Sequence, residues 1–148
     1  MSDDYRKELD SFNDHQKDNR NRATQLANYA FLLAGGSFTA SVSVFVARPK
    51  DQITKAIAEL LHEGWYSLFL AIIAYFTMLT FIVLRDYVVA EVHWRPVLDG
   101  KQPYLSGKKY TTCFVVFEIV ILSAGIFGFY KLSYGLYDIM RAASALVA

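Results

Sequence analysis

One uncharged apolar stretch, from Trp65 to Leu84, constrains the fold more than any other feature of the sequence. Its twenty residues carry no charged side chain, and the pair Arg85-Asp86 ends it. At about 1.5 Å per residue, a helix of this length is about 30 Å long, which is the thickness of the hydrocarbon core of a bilayer. Trp65 and Tyr66 stand at one end, where an aromatic interface belt falls. The stretch therefore predicts a transmembrane helix.

Two further apolar blocks flank this stretch, so we predict an all-α polytopic membrane protein with three transmembrane helices. The spans are expected at about 23–47, 65–86 and 110–130. The composition agrees, because 54% of the 148 residues are hydrophobic and 16% are aromatic, which is high for a water-soluble domain of this size. Residues 1–22 mix six acidic with five basic residues. We interpret them as a polar N-terminal segment ahead of a transmembrane domain at 23–148, and not as the leader of a cleaved signal peptide.

Three helical features are predicted outside the spans. After Pro49, apolar residues recur at a spacing of three to four, which predicts a short amphipathic helix in the membrane interface at about 50–63. No breaker follows the central stretch before Pro96, so the second helix is expected to run on to about Trp94. An apolar stripe over 131–146 predicts a C-terminal helical extension or a surface-lying helix.

Several function classes are disfavoured by the sequence. A net charge of +1 argues against a nucleic-acid-binding protein, which needs a basic excess to offset phosphates. Cys113 is the single cysteine, so neither an intrachain disulfide nor a cysteine metal cluster can form. Glu59 and His62 have the Glu-x-x-His spacing of di-iron bundles, but the chain has no second copy of it. Without a P-loop, a Gly-x-Ser-x-Gly or a His-Glu-x-x-His motif, we expect no catalytic residue, no metal, no cofactor and no enzyme.

Small and polar side chains share one face of the first span. At 100° per residue, this face carries Gln25, Asn28, Gly35, Gly36, Thr39 and Ser43. Phenylalanines recur every seven residues on another face. Lipid gives helices no hydrophobic reason to associate, and small-xxx-small patterns let backbones approach closely. We therefore predict that the small face packs against protein, and the alternative is that its polar groups line a wet path.

The third span contains a charge, Glu118, on the same face as Gly125 and Gly128, which are predicted helix-packing residues. An ionisable residue inside the membrane is a functional hypothesis by default. Three interpretations of Glu118 are open. It is paired with Arg85 or hydrogen-bonded to Asn28 as a clasp, it is neutral because of burial, or it relays protons or cations.

These residues form a predicted intramembrane polar cluster, with Glu118, Arg85, Asn28 and Gln25 as its members. The distribution of Lys and Arg places it in the cytoplasmic half of the membrane. Five of these residues precede the first span and five follow the second, against three in the first loop and two in the tail. This bias predicts a cytoplasmic N-terminus in a plasma or bacterial inner membrane.

Two functions fit these features. The first is a small non-enzymatic integral membrane protein that acts as a helix-association subunit, with the bilayer and either itself, as a homo-oligomer, or a larger membrane complex as partners. The second is an oligomeric channel or a membrane-perturbing pore or effector. In that case Glu118 and the polar face of the first span would line the path.

Overall fold

The computed structural model describes residues 3–49, 53–98, 101–102, 104 and 107–147. The regular structure of these residues is helical: α1 (Asp3–Val46), α2 (Lys55–Tyr87), a π-helical segment (Val88–Trp94), α3 (Arg95–Leu98) and α4 (Gly107–Val147). Three of these helices, α1, α2 and α4, are long and apolar enough to span a membrane. The predicted all-helical fold with three helices able to span a membrane is confirmed for the described residues, and these helices indicate a multi-pass membrane protein.

The helices α2 and α4 touch backbone to backbone where Gly64 and Gly135 cross. A Cβ atom added at Gly135 would lie 2.8 Å from the carbonyl oxygen of Gly64 and 2.9 Å from Cγ of Leu68. Neither distance leaves room for a side chain. Because lipid provides no hydrophobic drive, such close approach is what lets two membrane helices gain dispersion contacts.

Further glycines extend this contact along α4. A Cβ added at Gly125 would lie 3.2 Å from Sδ of Met78, and one added at Gly128 would lie 3.2 Å from the ring of Tyr75. The small face of α4 is therefore turned toward α2. The order of contacts shows that the two helices are antiparallel.

The helix α1 packs on α2 through an alanine face. Ala27, Ala30 and Ala34 are buried in a core cluster with Leu68 and Ala71 of α2. These alanines repeat at spacings of three and four, which is the period of a helix face in contact with another helix. Sequence reasoning did not single them out.

Aromatic side chains flank the alanine face of α1. The ring of Phe31 meets that of Tyr75 edge-on at 6.5 Å between centroids, and Phe38 meets Trp65 at 5.6 Å. The indole Nε1–H of Trp65 donates a hydrogen bond of 2.7 Å to Oγ of Ser41. The contact with α2 thus uses the phenylalanine side of α1, and the glycine side that is predicted to pack against protein takes no part in this contact.

The separate interfacial helix predicted at about 50–63 is not found in the part of the chain that the structure describes, where residues 55–63 form the first turns of α2. Residues 50–52 lie outside the described ranges. The hydroxyl of Thr54 accepts the N–H of Ile57 at 3.4 Å and caps the start of α2. No breaker follows before the central stretch, so the helix continues through Gly64.

The apolar stripe of these first turns is covered by protein. Ile57 and Leu61 are buried and cluster with Phe45 of α1 and Ala142 of α4. Residues 55–63 are thus helical with one apolar side, as the pattern predicts. That side packs against two neighbouring helices and not against the lipid surface. Only its polar side remains exposed.

One other predicted boundary differs, whereas the helical continuations expected after the second and third spans are both present. The polar N-terminal segment is not separate from the first span, because α1 begins at Asp3 and runs without a break to Val46. At the other end, residues 131–146 belong to α4, which continues to Val147. The second helix changes to π-helical geometry at Val88 and keeps it to Trp94.

The Gly64–Gly135 crossing generates a stability prediction. We expect Gly135→Ala to lower the free energy of unfolding by about 1–3 kcal/mol, because the added methyl group forces two backbones apart. Gly35→Ala is the matched control, since no heavy atom lies within 4 Å of its added Cβ. The measurement is denaturant unfolding of monomeric protein in dilute micelles, followed by circular dichroism. Equal unfolding curves for the two variants would contradict the crossing.

Candidate functional site

Four charged side chains from all three long helices meet at one end of the bundle. Arg20 Nη2 of α1 lies 2.7 Å from Asp86 Oδ2 of α2. Arg85 Nη2 lies 3.1 Å from Asp86 Oδ1, and Arg85 Nη1 donates to Glu118 Oε1 of α4 at 2.6 Å. We call these four residues the charge network.

The charge network is neutral and is most buried at its centre. The side chains of Arg85 and Asp86 are each 15% exposed, whereas Arg20 is 49% and Glu118 is 45% exposed. Arg85 also lies over the ring of Phe114, at 5.9 Å from its centroid. Asp86 Oδ2 accepts no hydrogen bond from the described residues, so its contact with Arg20 is an ion pair without hydrogen-bond geometry. Loss of one central partner would leave the other charge poorly compensated.

The pair Arg85–Glu118 also sets the register of α4 against α2. Arg85 ends the uncharged stretch of α2, so Glu118 lies at the end of the apolar layer and not deep within it. At the opposite end of that stretch, Gly135 is level with Gly64. The part of α4 that is level with 65–84 therefore runs from about Glu118 to Gly135, later in the chain than the predicted 110–130.

The first turns of α4 lie beyond this layer. Tyr110 and Phe114 line a small cleft together with Val88 and Val89 of the π-helical segment. The apolar residues before Glu118 thus contact protein that extends past the end of the uncharged stretch. A hydropathy pattern alone could not separate such residues from lipid-facing ones.

The structure brings two of the four predicted cluster residues together, namely Glu118 and Arg85. Gln25 and Asn28 are exposed on α1, and no hydrogen bond joins either of them to Glu118 in the part of the chain that the structure describes. The network instead includes Arg20 and Asp86, which sequence reasoning did not place in the cluster. Their positions next to the ends of two apolar blocks were the available signal.

A second feature is the outward face of α1, opposite the alanine face. It contains Gln25, Asn28, Gly35, Gly36, Thr39 and Ser43. A Cβ added at either glycine would meet no heavy atom within 4 Å. The hydroxyl of Thr39 donates to the carbonyl of Gly35, and that of Ser43 donates to the carbonyl of Thr39, both at 2.9 Å.

Amide side chains on this outward face lie within the apolar layer. Gln25 and Asn28 follow Arg20 by five and eight residues, which places them about 7 and 12 Å along the helix from the charge network. An amide in hydrocarbon without a hydrogen-bond partner is costly, by about 1–3 kcal/mol on mutational scales. The outward face thus carries amide groups to which acyl chains offer no hydrogen-bond partner.

The opposite end of the bundle holds a buried acid that sequence reasoning missed. Asp138 of α4 is 2% exposed, and its Oδ2 accepts no hydrogen bond from the described residues. Its Cβ packs near the Gly64 crossing. Asp138 follows Gly135 by three residues, so it shares the packing face of α4, and this spacing was the signal that could have found it.

Among the described residues, no group of three or more His, Cys, Asp or Glu side chains is placed to hold a metal ion. The chain matches no protein-family model, no curated protein and no solved structure. The function of this protein is therefore inferred from the charge network and from the surfaces of its own helices.

The charge network predicts unequal effects of its members. We expect Arg85→Met to lower the free energy of unfolding by about 1–3 kcal/mol, because the buried Asp86 then keeps only the half-exposed Arg20 as a partner and Glu118 loses its guanidinium. Glu118→Gln should cost less than about 1 kcal/mol, since a half-exposed carboxylate is well solvated. Both are measured by denaturant unfolding in micelles. A larger loss of stability for Glu118→Gln than for Arg85→Met would contradict this prediction.

Proposed function

We propose that this protein is a small non-enzymatic membrane subunit that self-associates through the outward face of α1. The observation that carries the proposal is the combination of exposed amides and uncovered glycines on that face. Gln25 and Asn28 lack a partner helix there, and Gly35 and Gly36 have open space above them. The partner that we infer is a second copy of the chain.

A facing helix would satisfy both features at once. Its backbone could approach Gly35 and Gly36 closely, which increases dispersion contacts. The amides of Gln25 and Asn28 could then hydrogen-bond across the interface, and such bonds contribute about 0.6–2 kcal/mol each in membranes. In a two-fold symmetric dimer each bond occurs twice, so a single face supplies several contacts.

The other small-residue face of the chain is already in use. Gly125, Gly128 and Gly135 of α4 approach side chains or backbone of α2. The outward face of α1 is the glycine-bearing face that the described helices leave uncovered. A self-complementary contact there leaves the intramolecular packing of α2 and α4 unchanged.

The proposed membrane is a plasma or bacterial inner membrane, with the N-terminus in the cytoplasm. This orientation is supported by the excess of Lys and Arg before the first span and after the second. Residues 1–22 would then be the polar cytoplasmic segment, and the charge network would lie at the cytoplasmic boundary. Arg20 and Arg85 at the cytoplasmic boundary match the preference of cationic side chains for the cytoplasmic side.

An oligomeric channel or membrane-perturbing pore is the second candidate, and the polar character of the same face favours it. Gln25, Asn28, Thr39 and Ser43 would line a path if several copies placed this face around an axis. Glu118 is a weaker candidate for the lining, because its carboxylate is neutralised by Arg85. The two functions differ in whether the assembled protein conducts.

Self-association should depend on the glycines of the outward face. We expect Gly36→Leu to convert oligomers of the purified protein to monomers, because the larger side chain holds the facing helices apart. Val44→Leu is the matched control, since Val44 is exposed on a different side of α1. Native mass spectrometry in mild detergent gives the oligomer distribution. A parent chain that is strictly monomeric would refute the proposal.

Ion flux separates the two candidate functions. We expect liposomes that contain the parent chain to release no more ions than protein-free liposomes. The outward faces of α1 pack against each other and leave no path for ions. Flux that is lost in Asn28→Leu would instead support a channel lined by α1. Flux that is lost in Glu118→Gln would place Glu118 in the path despite its pairing with Arg85.

A further inference from the structure

An open apolar groove of about 440 Å³ runs between α2 and α4, within the size range of small-molecule sites. Its walls include Leu70, Ile73 and Thr77 of α2 and Ile119, Ser123 and Phe127 of α4. No residue of α1 lines it, so the groove is separate from the proposed self-association face. Its length follows both helices along the apolar layer.

A lysine stands at one end of this groove. Lys131 follows Phe127 by one helical turn, and its ammonium lies 5.9 Å from the ring centroid of Phe127 and 5.8 Å from that of Tyr130. Lys131 precedes Gly135 by four residues, so its Cα lies about 6 Å further into the apolar layer than the Gly64 crossing. The Lys131 side chain thus begins within the apolar layer. Its flexible stem is long enough for the ammonium to reach the interface.

Lys131 differs from the other cations near the apolar layer, because it has no acidic partner. Arg20 and Arg85 contact Asp86 or Glu118, whereas no carboxylate of the described residues lies within ion-pair distance of Lys131. Asp138 is two turns further along α4, about 10 Å away, and is enclosed between the helices. A lysine that begins inside the membrane and has no carboxylate partner in its own protein is expected to bind an anion of another molecule.

The surroundings of Lys131 match the boundary between acyl chains and headgroups. The rings of Tyr130 and Tyr134 stack at 6.1 Å and are both exposed beside the groove. Tyrosine is enriched at this depth because its ring is apolar and its hydroxyl remains wet. An apolar groove that ends at a cation and two tyrosines has the polarity of a single phospholipid.

We propose that the groove between α2 and α4 binds one acyl chain of an anionic phospholipid whose phosphate is held by Lys131. The lipid belongs to the leaflet at the Gly64 end of the bundle. Its chain lies along Phe127, Ser123 and Ile119. An anionic lipid is preferred over a zwitterionic one because a zwitterionic headgroup carries its own cation and competes with Lys131 for the phosphate.

The test is lipid binding by the full chain in detergent, followed by native mass spectrometry, with phosphatidylglycerol and phosphatidylcholine as probes. We expect one phosphatidylglycerol per chain to be retained, and Lys131→Gln to weaken its binding by about fivefold, the size expected for one lysine near an anionic surface. Binding of phosphatidylcholine should change little. Lys55→Gln is the matched control, because Lys55 lies near the same end of the bundle and its side chain is 92% exposed.

A second variant tests the groove without altering charge. Ser123→Phe fills the groove from an exposed position, and we expect it to reduce retention of both lipids. Soluble glycerol phosphate should not displace the lipid, because it has no chain to enter the groove. Circular dichroism verifies that each variant remains helical.

Three comparisons between variants or lipids would overturn the proposal, as would a parent chain that retains no lipid. One is equal retention of phosphatidylglycerol by Lys131→Gln and Lys55→Gln, and another is equal affinity of the parent for both lipids. The third is a Ser123→Phe variant that retains lipid but loses oligomers, which would show that a second copy occupies the groove. Oligomers that persist while lipid retention fails would refute this inference alone, and monomers that retain lipid would refute only the proposed function.

Discussion

The close approach of Gly64 and Gly135 is the contact on which the rest of the structure depends. It fixes α4 against α2 at one end of the apolar layer, and the pair Arg85–Glu118 fixes it at the other. Two helices held at both ends have a single register. That register determines which residues of α4 lie in the apolar layer, and therefore gives Glu118 a boundary position and Lys131 an internal one.

The sequence was sufficient for the number of helices able to span a membrane, because apolar runs of about 20 residues carry that information directly. It was not sufficient for the faces that touch. On α1, a glycine face and an alanine face are both composed of small residues, and helical periodicity gives no reason to prefer either. The structure chooses the alanine face because phenylalanines beside it reach Tyr75 and Trp65 of α2.

The structure brings together only two members of the predicted polar cluster, Arg85 and Glu118, for a related reason. A sequence gives depth along one helix but not the offset between two helices. Glu118 was predicted inside the third span because that span was counted from the first apolar residues after the loop. The residues before Glu118 instead contact the π-helical segment, whose continuation past Arg85 extends the protein surface available to them. Lys131 was missed because its lack of an acidic partner exists only after folding, whereas the spacing of Asp138 from Gly135 was a signal that the sequence offered.

The distribution of charge among the three helices also has a consequence for biosynthesis. The α2 contribution to the charge network, Arg85 and Asp86, is neutral by itself, while α1 brings one cation and α4 brings one anion. A chain that emerges from the ribosome N-terminus first can join Arg20 to Asp86 before α4 has been made. Glu118 then arrives at a guanidinium that is already held in place. The second and third helices to be inserted thus each find a counter-ion of the charge network already in place.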